Sequence, residues 1–92
     1  KLNYSKGCVY HQYVIMSKKP DKFRNYLKLK NIPFGRHYPE PLNKLKAVKH
    51  LFKNQKFSNS ELLASHGTSL PINPMLKKSD IIKICKTINK FI

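Results

Sequence analysis

The sequence predicts an α+β fold: a small sheet covered by three or four helices, within one domain spanning 1–92. Three observations predict it. Residues 8–16 are a run of β-branched and aromatic types, apolar residues recur at helical spacing in the stretches that follow, and prolines, glycines or asparagines punctuate the junctions.

The first element is a strand over Cys8 to Met16, CVYHQYVIM, with apolar side chains at both parities, which predicts an interior strand covered on both faces. Ser17-Lys18-Lys19-Pro20 turns the chain, and Pro20 suits the first position of a helix, where its missing N–H is no loss. Phe23, Tyr26 and Leu27, with the aliphatic stem of Lys30, carry that helix to about Lys30. Asn31 tolerates the left-handed conformation that ends a helix, and Pro33 prevents continuation. A short extended piece, Ile32 to Gly35, follows.

Leu42, Leu45, Val48, Leu51 and Phe52 predict a second short helix. Ser58-Asn59-Ser60-Glu61 fits a capping box that starts a third, with Leu62, Leu63 and His66 facing inward and Gly67 closing it. Thr68 to Pro74 is extended and stiffened by two prolines. Ser79 is expected to cap the last helix, with Asp80 at its positive end. There Ile81, Ile84, Cys85, Ile88 and Ile92 form an apolar stripe opposite Lys83, Lys86 and Lys90.

Ninety-two residues at this hydrophobic content predict a single core burying roughly 60 to 65% of the extended chain's surface. The net charge of +15 arises from seventeen lysines and two arginines against Asp21, Glu40, Glu61 and Asp80. That excess attracts nucleic acid and acidic surfaces without specificity. The lysines are scattered, and the arginines that usually make planar phosphate or guanine contacts are nearly absent, so a solvated lysine surface fits better than a dedicated nucleic-acid site. Cys8 and Cys85 make no CxxC pair and read as buried free thiols, with one disulfide left open as the alternative. No apolar run reaches membrane-spanning length, so no membrane insertion is expected and the cytoplasm is the expected compartment.

The three glycines make no phosphate-binding loop, the histidines show no zinc spacing, and no catalytic acid–base pair is readable. The stretch Asn31 to Pro41, NIPFGRHYPEP, is the exception. It holds Arg36, His37 and Tyr38 in a loop braced by Pro39 and Pro41, and rigid loops are where binding residues concentrate. On these residues alone, His37 and Tyr38 either meet a ligand or plug the loop onto the core.

Read in order, the strand Tyr10 to Met16, the phrase NIPFGRHYPEPL, then SLPINP and an isoleucine-rich terminal helix resemble the C-terminal end of the DegT/DnrJ/StrS sugar aminotransferases. The resemblance covers nearly the whole chain. It departs from the family pattern at Asn43, Leu45, Val48 and Asn73, where histidine, glutamine or aromatic residues are frequent.

The resemblance implies the C-terminal small domain of a fold-type I pyridoxal phosphate enzyme, with the aspartate aminotransferase fold. The cofactor and its lysine then belong to a large domain of the same chain, so this piece carries no catalytic residue and binds no cofactor alone. It implies amino transfer from glutamate to a nucleotide-linked keto sugar, in surface polysaccharide or related biosynthesis, by a homodimer with its site at the subunit boundary. His37 and Tyr38, with Arg36 beside them, are the implied substrate-side residues. The competing readings are a small basic nucleic-acid-binding module, supported by the charge and by Tyr4, Tyr10 and Tyr13 near lysines, and a free-standing non-catalytic remnant domain.

Overall fold

The computed structural model describes residues 6–91 and bears out the α+β class. Strand β1 (Tyr13–Met16) leads into helix α1 (Pro20–Leu29); a 3₁₀ turn (Leu42–Lys44) and the one-turn helix α2 (Lys49–Phe52) follow. Helix α3 (Ser58–His66) runs directly into strand β2 (Gly67–Leu70), and helix α4 (Lys78–Phe91) ends the described chain. The two strands pair antiparallel, Tyr13 opposite Leu70 and Met16 opposite Gly67. An isolated bridge from Gly35 to Ser69 continues the sheet on the far side of β2.

Strand β1 is four residues long and not the nine-residue run expected. Tyr10 adopts φ 48°, a left-handed conformation that interrupts extended backbone. Nor is β1 covered on both faces: Tyr13 and Ile15 pack on the core, while Val14 and Met16 are 37% and 46% exposed.

Pro20 stands at the start of α1, and Asn31 takes φ 54° just beyond its end. Phe23 and Leu27 are the most buried side chains of the helix and join Ile32, Leu70 and Ile88 in the core. Helix α4 closes this core through Ile84, Ile88 and Phe91; the Phe91 ring lies 5.1 Å from Phe23 and 5.2 Å from Tyr26, and the Tyr26 hydroxyl donates to the Thr87 carbonyl. Lys83, Lys86 and Lys90 are exposed, but so is Ile81 at 49%, and Ile92 lies outside the described residues.

Other expectations are corrected. The helix expected over 42–52 is split, because Leu45 takes an extended ψ of 131° between the 3₁₀ turn and α2, and Leu42 and Leu51 are left exposed. An apolar stripe without a surface to cover gives a short helix little reason to form. Phe57, not Ser58, precedes the first residue of α3, no side chain caps it, and the Glu61 carboxylate instead lies 3.5 Å from Lys44. Leu62 and Leu63 face outward, and Ala64 is the residue of α3 that is buried. Ser79 lies inside α4; Asp80 reaches back to accept the Lys77 backbone N–H at 3.0 Å, which is the acidic half of a capping box. Cys8 and Cys85 are free thiols, and both are exposed.

Candidate functional site

The segment 31–41 is held at both ends before it carries any chemistry. Ile32 is buried and its N–H donates to the Leu27 carbonyl, which ties the segment to the end of α1. Gly35 and Ser69 then exchange both backbone hydrogen bonds, at 2.9 and 2.8 Å. Beyond this bridge Tyr38 turns the chain with φ 58°, followed by Pro39 and Pro41.

Between these anchors the His37 ring folds back over Gly35. A Cβ at Gly35 would lie 2.8 Å from His37 Cε1, so the absence of a side chain there makes room for the imidazole. His37 Nδ1 is 2.8 Å from the Ser69 hydroxyl, which adds a side-chain hydrogen bond to the backbone pair that already joins the phrases NIPFGRHYPEP and SLPINP. Tyr38, next in sequence, is 76% exposed. Two open grooves meet at His37 and Tyr38. One, of about 440 Å³, is shared with His11, Gln12, Ser69 and Ile72; the other, of about 570 Å³, runs along Pro39, Leu42, Leu45 and Leu63.

Arg36 donates from Nη2 at 3.3 Å to the carbonyl of Ala64, a residue that lines the larger groove. It shares the end of α3 with Arg24, which sequence reasoning overlooked. Arg24 is 7% exposed; its Nε donates to Thr68 Oγ1, its Nη2 to the carbonyls of Ser65 and Gly67, and its Nη1 to Asp21. The chain's two arginines thus satisfy carbonyls that the last turn of α3 leaves without helical partners. Burial, and next the Arg36 charge, lower the Arg24 guanidinium from its ordinary value, and Asp21 acts in the opposite sense. The signal for Arg24 was present: it lies three residues before Leu27, inside the apolar stripe of α1, where a charged residue needs internal partners.

Among the described residues no three His, Cys, Asp or Glu side chains gather as a metal site, and no helix is long and apolar enough to cross a membrane. Every described lysine is exposed. A lysine that holds pyridoxal phosphate needs its ammonium depressed by burial or neighbouring charge, so these residues do not fit the cofactor.

Comparison with known proteins gives a consistent result. The model of the DegT/DnrJ/EryC1/StrS aminotransferase family matches residues 2–89. A dTDP-3-amino-3,6-dideoxy-alpha-D-galactopyranose transaminase of Aneurinibacillus thermoaerophilus is 31% identical over 86 residues, covering 94% of this chain and 23% of the relative. A UDP-2-acetamido-2-deoxy-3-oxo-D-glucuronate aminotransferase of Pseudomonas aeruginosa is 34% identical over 77 residues, 84% of this chain and 21% of the relative. The crystal structure of a DegT DnrJ EryC1 StrS aminotransferase from Brucella abortus superposes with a TM-score of 0.77 at 34% identity, over 87% of this chain and 22% of that one. The chain therefore spans less than a quarter of the length of each of these proteins.

Proposed function

The chain belongs to the DegT/DnrJ/EryC1/StrS aminotransferase family, and from that premise we propose that it is the C-terminal small domain of a longer, cytoplasmic, homodimeric enzyme that moves an amino group from glutamate to a nucleotide-linked keto sugar. Both curated relatives are named for amino transfer on nucleotide-linked sugars, which supports this substrate class. Pyridoxal phosphate is the cofactor of the parent enzyme, where it supplies the electron sink for amino transfer. Its lysine belongs to the large domain, and no step of the chemistry is assigned to a residue of this chain.

What this chain contributes is orientation. The observation that carries the reading is His37, locked over Gly35 and bonded to Ser69 while its neighbour Tyr38 projects into solvent. A loop held in this way loses little entropy when it closes on a ligand. His37 and Tyr38 hydrogen-bond the sugar nucleotide, and Arg36 adds a charge-assisted contact once it exchanges the Ala64 carbonyl for the ligand.

The test uses the full-length enzyme. His37→Ala is expected to lower kcat/KM for the keto sugar by about tenfold or more, the cost of a hydrogen bond lost in a site shaped for it, with the melting temperature changed by only a few degrees. Unchanged sugar kinetics together with a large fall in melting temperature would make His37 a packing residue and remove the reading.

A further inference from the structure

We propose that Ser69 is the positioning residue of this site: its hydroxyl donates to His37 Nδ1, which keeps the imidazole proton on Nε2 and makes His37 a donor to an acceptor oxygen of the ligand. The inference rests on the substrate-side reading of His37 given above.

The backbone of Ser69 is held at both its donor and its acceptor. Its N–H and C=O are both engaged with Gly35, at 2.8 and 2.9 Å, so the residue has no freedom to rotate away from the loop that carries His37. Ser69 is 6% exposed, and among the described residues the one partner of its hydroxyl is His37 Nδ1, at 2.8 Å. A serine hydroxyl has one proton to give and a neutral imidazole has one nitrogen that accepts. If Nδ1 carried the proton and donated to Oγ, the serine proton would have no acceptor among the described residues and would depend on whatever enters the groove beside it. If the hydroxyl donates to Nδ1, both groups are satisfied. The proton of neutral His37 then resides on Nε2.

Gly35 makes the position of the ring possible. The imidazole occupies the space that a Cβ there would fill, 2.8 Å from Cε1 and 3.2 Å from Nδ1, so the ring can reach Ser69 only because residue 35 has no side chain. Gly35 thus makes room for the ring, and the Ser69 hydroxyl sets its tautomer. His37 Nε2–H suits an oxygen that accepts: a phosphate or carboxylate oxygen, and not a hydroxyl that must donate. In the proposed reaction two substrates carry such oxygens, the sugar nucleotide through its diphosphate and glutamate through its carboxylates.

Two measurements on the full-length enzyme test this. In protein carrying 15N-histidine, with the His37 resonances identified by their loss in His37→Gln, the neutral ring is expected to show its proton on Nε2. Kinetically, Ser69→Ala is expected to raise KM for the keto sugar and lower its kcat/KM by about tenfold, the effect of one lost hydrogen bond, with glutamate kinetics unchanged. Ser69→Thr, which keeps the hydroxyl and suits a strand, is expected to recover most of the loss. A proton on Nδ1 would overturn the proposal, as would a Ser69→Ala enzyme with normal kinetics for both substrates or a Ser69→Thr enzyme as impaired as Ser69→Ala. A loss confined to the glutamate half of the reaction would uphold the role of Ser69, assign the acceptor oxygen to a carboxylate, and overturn the sugar-side reading of His37.

Discussion

Arg24 shows how a single residue can order two segments at once. Its guanidinium spans Thr68 on β2, the carbonyls of Ser65 and Gly67, and Asp21 on its own helix. Removing it leaves the buried Thr68 hydroxyl and two half-buried carbonyls short of a donor, so Arg24→Met is expected to lower stability by about 1 to 3 kcal/mol in denaturant titrations. Arg24→Lys should recover little of this, because a point-charge ammonium cannot reproduce a planar fork. A lysine variant as stable as the parent would show that charge alone suffices. The Asp21 contact contributes far less: its carboxylate is 91% exposed, and Asp21→Asn should change stability by less than about 0.5 kcal/mol. Both expectations concern the folded frame on which His37 rests, and neither requires catalysis for its readout.

Among the elements, the junction of α3 and β2 is the tightest, since the strand begins at the residue after the helix ends. Gly67 permits it. A Cβ there would lie 2.6 Å from the Leu63 carbonyl oxygen, so Gly67→Ala is expected to cost about 1 to 3 kcal/mol through forced backbone displacement, measured by thermal unfolding. The same junction explains what the sequence did and did not disclose. Signals set by one residue's own backbone were legible: Pro20 at the start of α1, Asn31 beyond its end, and the proline-stiffened segment around His37. Signals that depend on a competing partner were not. The Ser58 capping box fails because α3 starts one residue early, with Phe57 at the cap position and the Glu61 carboxylate near Lys44, and the strand read from 8–16 is paired only where β2 lies opposite it, over 13–16. His37 was visible in its motif, whereas Ser69, thirty-two residues away, becomes its partner only through the Gly35 bridge.

The molecule as a whole exposes more surface than its size warrants. Its accessible area is 8045 Å², against roughly 5,500 Å² for a self-contained protein of this mass. It buries about half of the extended chain's surface, and not the 60 to 65% expected from its length. The radius of gyration, 15.6 Å, likewise exceeds the roughly 12 Å of a compact domain of this length. Leu42, Leu51, Leu62 and Leu63 are each at least half exposed, at 72, 66, 50 and 54%. Leucines left this exposed suit a covering surface, which supports the proposed large domain. The 92-residue chain alone is accordingly expected to bind a hydrophobic dye and to self-associate at low micromolar concentration in sedimentation, and Leu62→Lys with Leu63→Lys should reduce both. Attraction of nucleic acid by the net charge of +15 is expected to weaken steeply as salt rises, measured by titration at two salt concentrations. The central claim, that this is one domain of a sugar aminotransferase, is tested most directly by sequencing the coding DNA upstream of Lys1. The account predicts an open frame that continues into a large domain carrying a cofactor lysine; a start codon immediately upstream of Lys1 would contradict it.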